Sequence, residues 1–273
     1  MNVAIIGCGY VGTAVARLWQ KQGLNVTATT TKPERVPELN KVVTRTILAK
    51  GDDPAALQAV LKNQQVLLLS VGAPNAQAYE LTYLNTAKTL AGLLPHYPQL
   101  QQLIYTSSYA LYGNQRGNWV DEMLPLAPAS HNAKILAETE QVLLGSAHQH
   151  LQVCIFRLAG IYGPGRELAK IFRRIAGTTQ PGDGNNSSNW VHLDDIVGAV
   201  DFARQMHLQG VYNLVNDRPL PRRELIEYVC DRNNLAPVTW DSSQPSRRTY
   251  NAKVSNQKLK QAGYRFVHPE IVL

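Results

Sequence analysis

Gly7-Cys8-Gly9-Tyr10-Val11-Gly12 is the part of this sequence best equipped to hold a reactive group. The three glycines directly follow the apolar run Val3–Ile6, and a helical pattern follows them, so the spacing predicts strand, tight turn and helix. In such a unit Gly7 permits the turn, Gly9 lets the backbone approach a pyrophosphate, and Gly12 lets helix and strand pack closely. The amides around Tyr10, Val11 and Gly12 then stand at a helix N-terminus, where unpaired N–H groups and the positive dipole end favour an anion. The chemistry indicated is the binding of a dinucleotide.

Which dinucleotide depends on the end of the second strand. NAD sites commonly carry a carboxylate there for the ribose 2′-hydroxyl. This chain has no Asp or Glu before Glu34, which lies beyond Pro33; Thr29, Thr30, Thr31 and Lys32 occupy the place, with Arg35 nearby. Hydroxyls and cations suit a 2′-phosphate, which a carboxylate would repel. NADP(H) is therefore the expected cofactor. NAD(H) is the alternative, with Lys32 and Arg35 then being solvated loop charges.

Ser70-Val71-Gly72 follows the fourth predicted strand, where the chain passes beside an adenosine ribose; Gly72 either allows that approach or simply ends the strand. Asp194 and Asp195 make a carboxylate pair, but Asp194 reads better as a helix cap than as an acid or base. Cys8 invites a redox role, although a small side chain is all that its position requires. The other two cysteines, Cys154 and Cys230, are remote, and no two of the three have metal-ligand spacing. No disulfide, zinc site or other metal is expected, and the usage fits a reducing cytoplasm.

The elements that must position these residues alternate along the chain. Val3–Ile6, Asn25–Thr30, Val42–Ile47, Val66–Ser70, Gln102–Thr106, Val153–Arg157 and Gly210–Leu214 read as strands. Thr13–Gln22, Pro54–Lys62, a long Ala76–Leu94, Asn132–Leu144, Asp194–Met206, Pro221–Cys230 and Ser255–Ala262 read as helices. Crossover helices between strands imply a parallel sheet, because parallel neighbours cannot be joined by a hairpin. The fold class expected is α/β: a Rossmann-type doubly wound parallel sheet with a small C-terminal substrate lobe. Residues 1–160, rejoined by 190–215, form the dinucleotide-binding domain, and 161–189 with 216–273 form the lobe.

With 273 residues, 44% hydrophobic and 17% charged, the chain has the composition of a globular protein that buries a sizeable core. Apolar runs such as Val66–Leu69 are too short to span a bilayer, and Met1–Ile6 leads straight into the glycine loop without a signal peptide. No membrane partner is expected. The net charge of +7 invites a nucleic-acid reading, but the basic residues are spread out. Arg222–Arg223 and Arg247–Arg248 form small clusters near the C-terminus, with no aromatic-studded basic stripe. An anionic cofactor or a phosphorylated substrate accounts for the charge equally well. A small-molecule substrate is expected and nucleic acid is not.

Several further segments carry a resemblance. Ile104-Tyr105-Thr106-Ser107-Ser108-Tyr109-Ala110-Leu111-Tyr112-Gly113, Arg157-Leu158-Ala159-Gly160-Ile161-Tyr162-Gly163-Pro164-Gly165, Trp190-Val191-His192-Leu193-Asp194-Asp195 and Tyr212-Asn213-Leu214-Val215 occur in the right order. Together they resemble the extended short-chain dehydrogenase/reductase family, which includes nucleotide-sugar epimerases and dehydratases. The resemblance implies that Ser108, four positions before Tyr112, is the catalytic hydroxyl. It also implies that Lys134, followed by Glu138, binds the nicotinamide ribose. Relatives often dimerise through a four-helix interface, here Ala76–Leu94 and Asn132–Leu144, which implies a homodimer.

Two departures stand out. The family's catalytic tyrosine should lie four residues before Lys134, where this chain has Ser130, followed by His131. The glycine motif reads GCGYVGTA rather than TGxxGxxG. Both features resemble atypical subgroups of the family. His131 is then the candidate proton carrier, or a residue at a helix start without chemical role; Tyr109, Tyr112 and Tyr162 are the substitutes. Two functions follow: an NADP-dependent oxidoreductase or epimerase acting on a small carbonyl, hydroxyl or sugar-like substrate, or a non-catalytic NADP(H) sensor.

Overall fold

Every residue of Val66–Leu69 is buried, as are residues 3–6, and such continuous apolar runs belong to strands covered on both faces. In the computed structural model, which describes residues 1–272, they form the middle of a seven-stranded parallel sheet. Its strands are β1 (Asn2–Ile6), β2 (Asn25–Thr30), β3 (Arg45–Leu48), β4 (Val66–Leu69), β5 (Gln102–Ser108), β6 (Gln152–Leu158) and β7 (Gly210–Leu214), in the order β7-β6-β5-β4-β1-β2-β3. The order reverses between β1 and β4, and doubly wound sheets bind ligands in the crevice outside that point. Register sets the crevice: β1 runs from Asn2 opposite Asn25 to Ile5 opposite Ala28, and Ile6 lies opposite Leu69 of β4. The loops leaving β1 and β4 therefore start level with one another.

Helices α1 (Tyr10–Lys21), α2 (Pro54–Leu61), α3 (Thr86–Leu93), α4 (His131–Leu144) and α5 (Leu193–Met206) connect the strands. Pro54 opens α2, and the Asp53 carboxylate accepts the Ala56 amide at 3.1 Å, satisfying one of the donors a helix start leaves open. Among the described residues, no helix is long and apolar enough to cross a membrane.

Two expected elements differ. Ala76–Leu94 is not one helix: a 3₁₀ turn (Ala76–Ala78), a π-helical stretch (Glu80–Asn85), α3 and a second 3₁₀ turn (Leu94–His96) succeed one another. The Asn75 side chain accepts the Ala78 amide and closes the first turn, and the Thr89 hydroxyl donates to the Asn85 carbonyl at 2.8 Å where π passes into α. The strand expected at Val42–Ile47 starts later. Val42 and Val43 both donate to the Leu39 carbonyl and still belong to a helical turn, so β3 pairs with β2 only from Arg45 opposite Thr27. Asn114–Val120 is a strand that hydrophobic periodicity did not mark; it pairs in parallel with Asn251–Val254.

The chain divides into two compact units. The first comprises Met1–Ser108, His131–Arg157 and Val197–Tyr212. Its core holds Ala4, Ile6, Leu67, Leu69, Leu90, Leu103, Tyr105 and Ile155. Inside it, Arg157 of β6 and Glu140 of α4 form a buried ion pair, with the Nε and Nη2 hydrogens donated to the carboxylate at 3.2 and 2.8 Å. The second unit comprises Tyr109–Ser130, Leu158–Ile196 and the chain from Asn213 onward. Its core joins Tyr162, Leu168 and Phe172 to Leu225, Ile226 and Val229 of α6 (Arg222–Arg232). Asn189 ties two of its segments, donating to the Ala252 carbonyl at 2.8 Å and accepting the Val254 amide at 3.0 Å.

Candidate dinucleotide and substrate sites

The glycine loop is built tightly on one side and left open on the other. Gly7 has φ +87°, and a Cβ there would lie 2.6 Å from the Ser70 carbonyl oxygen. A Cβ on Gly12 would meet the Gly7 carbonyl oxygen at 2.6 Å and Ile5 Cγ2 at 3.1 Å. A Cβ on Gly9 would meet nothing within 4 Å. Gly7 and Gly12 are thus demanded by the protein's own packing, whereas Gly9 is bare toward open space, as close backbone approach to a phosphate requires. Gly9, at the start of α1, supplies no side-chain cap to the helix.

The loop is held from β2. The Thr29 hydroxyl accepts the Gly7 amide at 3.0 Å, and Cys8 donates its amide to the Thr29 carbonyl at 3.0 Å. Arg35 sits in a 3₁₀ turn, Pro33–Arg35, that carries its guanidinium back to the loop; Nη1 donates to the Cys8 carbonyl at 2.7 Å. The Thr13 hydroxyl donates to the same carbonyl at 3.2 Å. Thr30 is buried at the end of β2 and its hydroxyl accepts the Lys32 amide, while Thr31 and Lys32 are exposed beyond it. Glu34 is exposed, so the end of β2 bears cations and hydroxyls and no buried carboxylate. Burial pushes the Cys8 thiol up, against its hydrogen bond to Thr13 and the positive charges of Arg35 and Arg17. It stays protonated near neutrality, which argues against a redox role.

Beyond β4, Ser70 and Val71 are half-buried and Gly72 is exposed with nothing near its missing Cβ. The Ser70 hydroxyl accepts from Thr106 at 3.1 Å, fixing the loop to β5. Ser108 ends β5 and is half-buried. His131 is the first residue of α4, with Lys134 one turn on; both are exposed. Three residues apart, they share one face of the helix. Ser130, in the tyrosine's place, lies just before α4. Glu138, also exposed, pairs with Lys88 Nζ at 3.1 Å, which ties α4 to α3.

In the second unit, two features went unread beyond the clustering of their arginines. Arg222 lies 5.4 Å over the Trp240 ring and Arg248 lies 4.7 Å over the Tyr250 ring. Burial, then the positive charge of Arg248, lowers the pKa of Arg222, so two cations share a partly dry region. Arg248 donates to the Ser187 carbonyl and the Tyr109 hydroxyl, and neither arginine has a carboxylate partner among the described residues. In the same unit, Arg116, Asp183, Asn185, Ser246, Asn251 and Lys253 line a polar cavity of about 650 Å³.

Comparison with known proteins places the chain. The sequence profile of the NAD dependent epimerase/dehydratase family matches residues 3–215. Protein YeeZ of Escherichia coli K12 is 31% identical over 223 residues, covering 78% of this chain and 77% of YeeZ. The structure of a putative NAD-dependent epimerase/dehydratase from Methylobacillus flagellatus is similar with TM-score 0.77 and 26% identity, over 98% of this chain and 94% of that one. The fold alone is shared with UDP-glucose 4-epimerase of Thermus thermophilus, solved in complex with NAD, at TM-score 0.80 and 21% identity over 100% and 95% of the two chains. A profile match across most of the chain, together with the YeeZ relationship, decides the matter: this chain belongs to the NAD dependent epimerase/dehydratase family.

Proposed function

We propose that this chain is an NADP(H)-dependent oxidoreductase or epimerase acting on the hydroxyl or carbonyl of a small, sugar-like, anionic substrate. The observation that carries the reading is the glycine loop, with open space over Gly9 and a helix start to which Gly9 supplies no side-chain cap. Tyr10, Val11 and Gly12 offer amides to the pyrophosphate, and Ser70, Val71 and Gly72 flank the adenosine. The preference for NADP(H) over NAD(H) rests on Thr30, Thr31, Lys32 and Arg35 at the end of β2, where the guanidinium already lies against the loop. The preference for an anionic substrate rests on Arg222 and Arg248, cations with no carboxylate among the described residues to neutralise them.

When bound, a nicotinamide dinucleotide supplies or accepts hydride. The chain's own groups do the rest. Ser108 donates a hydrogen bond to the reacting oxygen, Lys134 holds ribose hydroxyls, and His131 takes the proton that a tyrosine carries elsewhere in the family. The test is titration with NADPH and NADH followed by turnover on carbonyl and sugar-phosphate panels, read by nicotinamide absorbance. NADPH binding tighter than NADH, with turnover lost in Ser108→Ala, supports the reading; equal binding of the two removes the NADP(H) preference.

A second reading has its own observation: Ser130 stands where the tyrosine is expected, and both His131 and Lys134 are exposed. On it the chain senses NADP(H) without turning over a substrate. Ser108→Ala and Lys134→Ala would then change dinucleotide affinity while no panel member is consumed by the parent protein. Any turnover that Ser108→Ala abolishes excludes the sensor.

A further inference from the structure

We propose that His192, Asp194 and His268 form a binding site for one divalent transition-metal ion of the zinc type, clasping the C-terminal segment to the start of α5. His192 Nδ1 lies 3.3 Å from Asp194 Oδ2, and His268 Nε2 lies 3.1 Å from the same oxygen. One ligand atom from each residue falls within 4.8 Å of the others. A tetrahedral ion with bonds of about 2.0–2.1 Å needs ligand atoms ~3.3 Å apart, so the observed separations already approach the edges of such a site.

The lone pairs point the same way. The Asp194 amide donates to His192 Nδ1 at 3.2 Å, so that nitrogen carries a lone pair rather than a hydrogen, and a bound ion would take that lone pair over from the amide. The Asp194 carboxylate faces it, and two acceptors at that distance repel unless a cation lies between them. Two imidazoles and one carboxylate suit zinc, cobalt or nickel; calcium and magnesium demand oxygen ligands.

The donors are held in place without an ion. The Asp195 carboxylate, fully buried, accepts the amides of Val267 at 2.6 Å and His268 at 3.0 Å, and the Tyr264 hydroxyl donates to the Asp195 carbonyl at 2.9 Å. His268 is thereby fixed by its own backbone, as outer-shell groups fix metal ligands. The ring of Tyr162 lies edge-on to His192 at 5.0 Å, and the two imidazole centroids are 3.9 Å apart. The histidine side chains are 12% and 21% exposed and Asp194 is 57% exposed, so the cluster opens on one side, where water can complete the coordination. The third ligand comes 74 positions after Asp194, which is why cysteine and histidine spacing gave no metal signature.

The experiment titrates chelator-treated full-length protein with cobalt(II) and zinc(II), read by calorimetry, by the visible absorption of tetrahedral cobalt, and by hydrogen exchange of the segment 264–270. Expected are one ion per chain, zinc displacing cobalt, slower exchange in 264–270, and no response to magnesium. His268→Gln and Asp194→Asn should each weaken binding by more than about tenfold while circular dichroism shows a folded chain. Doubling His148→Ala with His150→Ala, a surface histidine pair with no carboxylate between its rings, should change nothing. No stoichiometric binding, as a proton shared between His192 and Asp194 would give, overturns the site, as does binding that survives both ligand variants.

Discussion

Gly9 and Gly7 separate two things that one alanine can do. At Gly9 a methyl group meets no protein atom, so Gly9→Ala should cost the fold less than Gly7→Ala and weaken NADPH binding by about tenfold or more, because the methyl occupies the phosphate's approach. At Gly7 the positive φ and the contact with Ser70 make the same change costly to the fold itself, by about 1–3 kcal/mol or more, measurable by urea unfolding without any ligand. If Gly9→Ala binds NADPH as the parent does, the open space serves something else. Arg35→Glu should lower NADPH affinity more than NADH affinity, since it sets a carboxylate at the end of β2. The three cysteines are buried and Cys8 is held in its thiol form, so a thiol reagent should label the native protein slowly and reach all three only after unfolding. At this scale much was legible. The glycine spacing and the missing carboxylate are local facts of the chain, but the return of Arg35 to Cys8 depends on a 3₁₀ turn that no periodicity announces.

Among the elements, β2 could be read end to end because Val26–Thr30 is an uninterrupted β-branched or apolar run that stops before Lys32 and Pro33, and β7 because its run starts at a glycine, Gly210. Ala76–Leu94 reads as one helix since π, α and 3₁₀ turns differ in hydrogen-bond span and hardly in which residues face inward. Asn114–Val120 escaped because its burial alternates weakly and its partner strand comes more than a hundred residues later. The element with most at stake is α4, which brings Glu140 to Arg157. Both side chains are almost wholly buried, so Glu140→Ala strands a guanidinium without its counter-charge and should cost about 3–5 kcal/mol in urea unfolding. Pairing it with Arg157→Met should recover most of that loss; a double variant as unstable as the single one would mean that packing, rather than charge, sets the cost.

Over the whole molecule, the charge of +7 should speed capture of an anionic dinucleotide, and the association rate should fall as salt rises. Free NADPH at a hundred times its dissociation constant should raise stability by about 2.7 kcal/mol, read as a shift in the unfolding midpoint. The doubly wound parallel sheet was legible at this scale from strand–helix alternation, whereas the strand order that sets its switch point comes from the structure. The histidine and arginine clusters of the second unit were not legible, because tertiary structure alone gathers residues so far apart along the chain.

The two units are wound from six alternating stretches, so the polypeptide passes from one to the other five times. Neither is a bead that one cut could release. During synthesis the edge strand β7 emerges last of the sheet, when two of the second unit's three stretches have left the ribosome and the third is still to come. A truncation just past β7 would preserve every glycine of the loop and still abandon a half-built neighbour, and therefore a nascent chain stalled there should be an early client for chaperones.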